Sequence, residues 1–298
     1  MMIHQFLRSV GFAGIKNREE IAPVVNEAVH QADEIKNIMQ KDGHAPYGIY
    51  YREFARDIGI AVCGEYNEQG RFLYDYYFPY MKGDGVSTTE EISLERLSAQ
   101  VAYAGMVDES RIGVSLIFYV NNMIDYLHAL SKKQNCLKGA TLTLSALAES
   151  GTIIMPVMKT TKERNLTRKK AVSRYRLIAD AKRGNEEAME TLTLEDMDTY
   201  TAVSKKIRES DVFTLVDTYF MPFGVECDHY SVLGEIVQCL TVENSYSRET
   251  VYLMKLLCND MYLDLCINAM DLTGEPGKGR RFKGNIWLQG RVNFVPVV

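Results

Sequence analysis

Between Asp211 and Asn268 four strand-length runs follow one another, "DVFTLVDTYF", "YSVLGEIVQCLTV", "ETVYLMKLLC" and "MYLDLCIN". The last two meet at Asn259-Asp260, a hairpin signal weaker than Asn-Gly. "AMDLTGEPGKG" then reads as a loop, and "GRRFKGNIWLQGRVNF" as a closing strand. About five strands in fewer than ninety residues predict a small β-barrel over residues 211–298. An oligonucleotide-binding-like (OB-like) barrel is the best-known match of that size. The loop before the last strand is short and glycine-rich for the helix usually found there.

The closing strand divides into two faces. Phe282, Gly284, Ile286, Leu288, Gly290, Val292 and Phe294 face one way and form an almost unmixed apolar set. Its glycines stand where a strongly coiled strand would bend. Lys283, Asn285, Trp287, Gln289, Arg291 and Asn293 face the other way, and Arg280 and Arg281 extend the positive edge. Trp287 is the only tryptophan in the chain. Flanked by amides and cations, it can stack a base or a sugar, or dock against the rest of the molecule. Docking is the favoured reading, because large aromatics are common at such seams.

The first 158 residues read as an α+β domain. A helix is predicted over residues 17–40, with Asn17 as cap, Glu19 and Glu20 in the first turn, and a stripe running from Ile21 to Ile35 and Met39. "YGIYYREFA", "IGIAVCGEY" and "RFLYDYYFPY" predict successive strands, the last two joined by the turn "NEQG". Phe72, Tyr74, Tyr76, Phe78 and Tyr80 then share one face, expected to be core. "GDGVSTTEE" falls short of a phosphate loop and predicts a turn with a capping box, opening a short helix through Leu97. "GVSLIFYV" predicts a buried strand, "NNMIDYLHALSKK" a helix, and "ATLTLSAL" with "GTIIMPVM" a hairpin at "AESG".

"KTTKERNLTRKK" reads as a basic linker, followed by helical pattern to about Arg183. Two further helices are predicted in "NEEAMETL" and "LEDMDTYTAVSKKIRES", with Thr193, Glu195, Asp196 and Asp198 opening the second. The whole is therefore α+β: a largely antiparallel sheet with helices over residues 1–158, a helical connector over 159–210, and the small barrel over 211–298.

The net charge of -5 is distributed in blocks. Residues 1–158 carry net -5, 159–183 net +8, 184–275 net -13 and 276–298 net +5. Such asymmetry fits either a polyanion-binding strip or basic segments lying against the chain's own acidic surface, and the second is favoured. The six cysteines show no C-x-x-C pair and read as reduced thiols. The start lacks a signal-peptide pattern, and no apolar run is long enough for a membrane span.

Cys227, Asp228 and His229 form the nearest approach to a catalytic cluster. In extended chain Cys227 and His229 share a face while Asp228 points away, so the three cannot form a triad. Cys227 and His229 alone are two metal ligands where a stable zinc site needs more. No G-x-S-x-G, H-E-x-x-H or Walker motif is present. No catalytic residue, metal or cofactor is therefore expected.

"DVFTLVDTYFMPFGVECDHYSVLGEI" and "DLTGEPGKGRRFKGNIWLQGRVNF", with "IGIAVCGEY" and "GVSLIFYV", resemble an uncharacterised bacterial family, domain of unknown function 3881. The resemblance spans most of the chain except the basic linker. It implies a full-length cytoplasmic bacterial protein and carries no activity or catalytic residues to transfer.

The sequence leaves three function classes. The leading one is a non-enzymatic binding protein contacting single-stranded nucleic acid or another polyanion through Trp287, Lys283, Arg291, Arg280, Arg281, Asn285 and Gln289. Another is a protein-interaction or structural module with its basic segments docked on acidic surfaces. The third is an enzyme or metal protein using Cys227 and His229.

Overall fold

The computed structural model describes residues 3–39, 45–97, 102–132, 135–156, 173–174, 176–181, 183–206 and 216–295. The basic segment "KTTKERNLTRKK" lies outside the described residues. A 3-10 helix, Gln5–Val10, opens the structure, capped by the His4 ring and ended by Gly11 at φ 90°. Helix α1, Arg18–His30, starts as expected, with Asn17 Oδ1 accepting from the backbone N–H groups of Glu19 and Glu20. Its buried residues are Ile21, Val24, Val25 and Ala28.

The predicted helix stops ten residues early, because Glu34–Ile38 form strand β1. This segment finds a full antiparallel partner, Glu34 opposite Tyr51 through Ile38 opposite Tyr47. Asp33 also fixes the entry by accepting from Arg52 and from the backbone of Glu53. A five-residue ladder overrides helical periodicity here, and Ile35 and Met39 are left exposed.

Strands β2 (Tyr47–Ala55), β3 (Ile58–Tyr66) and β4 (Phe72–Met81) complete an antiparallel sheet in the order β1-β2-β3-β4. The turn at residues 67–70 is held by Asn67 Oδ1, which accepts from the backbone of Gln69 and Arg71. The aromatic row is only partly core. A bulge sets Cys63 opposite Tyr76 and Gly64 opposite Tyr74, so alternation breaks at Asp75. Phe78 and Tyr80 are buried, Tyr76 is half-buried and Tyr74 is exposed.

A second sheet holds ten strands. Ile92–Arg96 form β5, a strand where a capped helix was predicted. Thr88 does receive the Glu90 N–H, as in a cap. The backbone at residues 87–88 is nevertheless tied to Leu142, and Ile92 pairs opposite Val107. The glycine loop before it faces carboxylates, since Asp84 N donates to Asp264 Oδ2 at 2.7 Å. Strands β6 (Tyr103–Glu109) and β7 (Val114–Val120) and helix α2 (Met123–Lys132) follow.

Instead of a hairpin, residues Thr141–Ile154 form one long strand, β8. Helix α3, Glu186–Lys206, is likewise one helix where two were predicted. Asn185 Oδ1 caps it by accepting from Ala188 N, while the Thr193 hydroxyl donates back to Met189 O inside the helix. The cluster Glu195, Asp196 and Asp198 therefore lies mid-helix.

Strands β9 (Tyr219–Pro222), β10 (His229–Glu243), β11 (Thr250–Cys258), β12 (Met261–Asn268), β13 (Leu272–Thr273) and β14 (Arg281–Asn293) finish the chain. The β11–β12 hairpin turns at Asn259 and Asp260, at φ 48° and 61°, the geometry that Asn-Gly serves best.

Five of these strands close a barrel. β8 pairs with β12 in parallel, β12 with β11, β11 with β10, β10 with β14, and β14 with β8 antiparallel. One barrel strand thus comes from residues 1–158, and residues 211–298 do not make the barrel alone. β14 pairs with β8 along its whole length, passing Glu149 in a bulge between Asn285 and Ile286. That pairing is why "AESG" stays extended. The fold is mostly β with few helices, a closed five-stranded barrel beside an antiparallel sheet.

The N-terminal 3-10 helix wedges between barrel and sheet, burying Phe6, Leu7 and Val10. Ser9 donates to Ala148 O at 2.8 Å, Asn244 to Val10 O at 2.9 Å and Asn268 to Arg8 O at 3.2 Å. Each link joins this short element to a barrel strand or its end.

Candidate functional site

Trp287 sits mid-strand in β14, opposite His229 of β10 and Leu147 of β8. The outer face of β14 is covered here, and Trp287 is 5% exposed. Its ring lies 4.7 Å from His4, 5.2 Å from Tyr119 and 5.6 Å from Phe6, the last nearly parallel. The indole Nε1–H donates to Asp228 Oδ2 at 2.7 Å, and Leu288 N donates to Asp228 O at 2.9 Å. One aspartate in the β9–β10 connection therefore clamps both the side chain and the strand.

The neighbouring imidazoles are placed by the same packing. His229 meets Phe6 edge-on at 5.2 Å, with its Nε2 3.9 Å from Asp228 Oδ1. The His4 ring accepts from Phe6 N at 3.4 Å. Burial and the proximity of His229 push the His4 pKa down to about 4, so the ring is neutral at pH 7.

The other candidate residues do not form one open face. Gln289 is buried and stitches β14 to β4: its Oε1 accepts from Met81 N and Asn121 Nδ2, and its Nε2 donates to Pro79 O. Arg281 is buried, donating to the carbonyls of Met155 and Val216. Arg280 is held by Glu275, within 3.4 Å of its carboxylate. Lys283, Asn285 and Arg291 are half-buried along the strand.

Cys227 is exposed in the connection between β9 and β10, while His229 is turned into the aromatic cluster. Among the described residues, no group of three or more His, Cys, Asp or Glu side chains could hold a metal ion. Asp228, expected to point away from its neighbours, points at Trp287. His4 and Phe6 were missed as partners of Trp287 because they lie at the opposite end of the chain. Ile3, Phe6, Leu7 and Val10 stand at helical spacing in the sequence, but that spacing does not say what the apolar side covers.

Fold and site together define a helix-poor protein whose five-stranded barrel is sealed against the four-stranded sheet by its own N-terminal turn. The chain belongs to the family described as a domain of unknown function named from an E. rectale gene description (DUF3881), matched over residues 7–290. No curated protein and no solved structure matches it significantly. Among the described residues, no helix is long and apolar enough to cross a membrane.

Proposed function

We propose that the protein is a non-enzymatic protein-interaction module in which basic segments lie against surfaces of the chain itself. The observation that carries this reading is the enclosure of Trp287 by His4, Phe6, Tyr119 and Asp228. A stacking tryptophan must present a ring face to its ligand, and this side chain is buried. The engagement of Arg280 by Glu275, and of Arg281 by two backbone carbonyls, supports the same view. The free protein is expected to show blue-shifted Trp287 emission that titrated oligonucleotides leave unchanged. A water-exposed spectrum would sink the reading.

A second reading is contact with single-stranded nucleic acid or another polyanion through the barrel. Its support is strand order. With β10, β11, β12 and β14 taken as first to fourth strands and β8 as fifth, the circuit runs first, second, third, fifth, fourth, with third and fifth parallel. We read that order as the one an OB-like barrel would have in circular permutation. The net +8 of residues 159–183 fits the same reading. It requires the N-terminal turn to lift from Trp287, and a quench at low salt with a mobility shift is its signature.

A further inference from the structure

Strand β10 changes partners along its length. Residues 229–235 pair with β14, while 235–243 pair with β11. The edge that faces β14 is closed at Ile236 by the loop before β14, where Ile236 N donates to Arg280 O and Gly279 N to Ile236 O. A bulge at Val237 follows. Beyond it, among the described residues, no backbone pairs with this edge over residues 237–243. The loop diverges there and leaves an open groove of about 670 Å³. One wall is Val237, Cys239 and Thr241 of β10 with Tyr252 of β11, and the other is loop residues 275–278.

Open strand edges recruit other strands, and proteins normally blunt them with charge, proline or brevity. Three other edges among the described residues follow that rule. β1 carries Lys36, β5 has five residues and ends in Glu95 and Arg96, and β9 ends at Pro222. The free stretch of β10, "VQCLTVE", carries no proline, and its one charge, Glu243, stands at the far end and is paired with Arg248.

We infer that this groove is a β-addition site that takes one extended peptide segment of a partner protein, hydrogen-bonded along residues 237–243. The inference rests on the protein-interaction reading above and names its surface. The edge itself defines the ligand: alternating N–H and C=O groups need a chain that offers the same groups at strand spacing. The groove volume lies within the usual range for a bound ligand of limited size, roughly 300–1,000 Å³. The loop wall argues for a single chain, because a second copy's β10 would bring its own loop into the same space. Cys239 and Thr241 leave room for alternate side chains, and Tyr252 offers a flat apolar contact. Glu275 is paired with Arg280, which leaves the Lys278 cation on the wall, so a ligand of neutral and apolar residues with one acidic residue beside Lys278 is favoured.

The test pans a displayed library of random heptapeptides against the full-length chain, then uses one recovered synthetic peptide. Hydrogen exchange at residues 237–243 is expected to slow at least tenfold with peptide bound. Gly277→Trp is expected to weaken binding at least tenfold without altering the fold, since a Cβ there meets only the Arg280 side chain, at 3.7 Å. Thr241→Trp fills the groove from the opposite wall and is expected to act alike. No recovered peptide, unchanged exchange at 237–243, or binding insensitive to both variants would overturn the assignment. A concentration-dependent dimer protecting the same amides without peptide would also overturn it, assigning the edge to a second copy. Failure of the underlying reading is separately visible, because Trp287 emission and oligonucleotide titration do not involve this groove.

Discussion

Trp287 shows how one side chain joins three parts of the chain: a barrel strand, the 3-10 turn through His4 and Phe6, and the β9–β10 connection through Asp228. Trp287→Ala is expected to cost about 3–5 kcal/mol, the range for large aromatic truncations in cores, measured by urea unfolding. Trp287→Phe keeps the ring stack but strands the Asp228 carboxylate, costing roughly 1–3 kcal/mol. His4 adds a pH dependence. Its folded pKa, about 4, lies below the ordinary 6.5, so the unfolded chain takes up the proton first as pH falls. Its contribution is complete above the ordinary value and is lost between pH 6.5 and about 4, by at most about 1.4 kcal/mol per pH unit. His4→Phe removes the proton site, and a flatter melting-temperature profile over that window is the expected result.

At the scale of elements, β14 explains its own composition better than its alternation did. Its glycines are sites of close approach as well as of bending. A Cβ on Gly290 would overlap the Phe118 ring, and one on Gly284 would overlap Ser150 O. Gly290→Ala is therefore expected to destabilise by roughly 1–3 kcal/mol in denaturant unfolding, as overpacking does. The β11–β12 turn offers the opposite case. Asp260 sits at φ 61°, so Asp260→Gly is expected to raise stability by roughly 0.5–1 kcal/mol, read as a higher melting temperature. Strands and caps were legible wherever a local signal had no competitor: Asn17, the turn at 67–70, and the strands β2, β3, β7, β11 and β12. The signals failed where a distant partner decided. Glu34–Ile38 became a strand because β2 was there to pair with it, and "AESG" stayed extended because β14 runs past it.

At the scale of the molecule, the decisive connection is β8. It is separated from β10 by more than seventy residues, yet it stands between β12 and β14 and closes the barrel. Residues 211–298 expressed alone would leave β12 and β14 each with an open edge. That fragment is expected to show no cooperative unfolding, whereas the full chain shows a transition in which Trp287 emission and far-ultraviolet circular dichroism coincide. Coincident, cooperative unfolding of the isolated fragment would contradict the shared-strand account.

The candidate site was legible in part. A strand with an apolar face, carrying a lone tryptophan on the other, is written in the alternation of residues 282–294. So are the uneven charge and the run of short strands that demands a barrel. These are local properties, set by side-chain period, turn chemistry and β-branched content, and they survive without knowledge of neighbours. Which segment fills the fifth place in the barrel, what covers Trp287 and which edge of β10 stays open depend on pairings between residues far apart in sequence. Only the tertiary structure decided them, because any apolar strand can satisfy a ladder locally, and the choice falls to whichever combination closes all the backbone and buries all the faces at once.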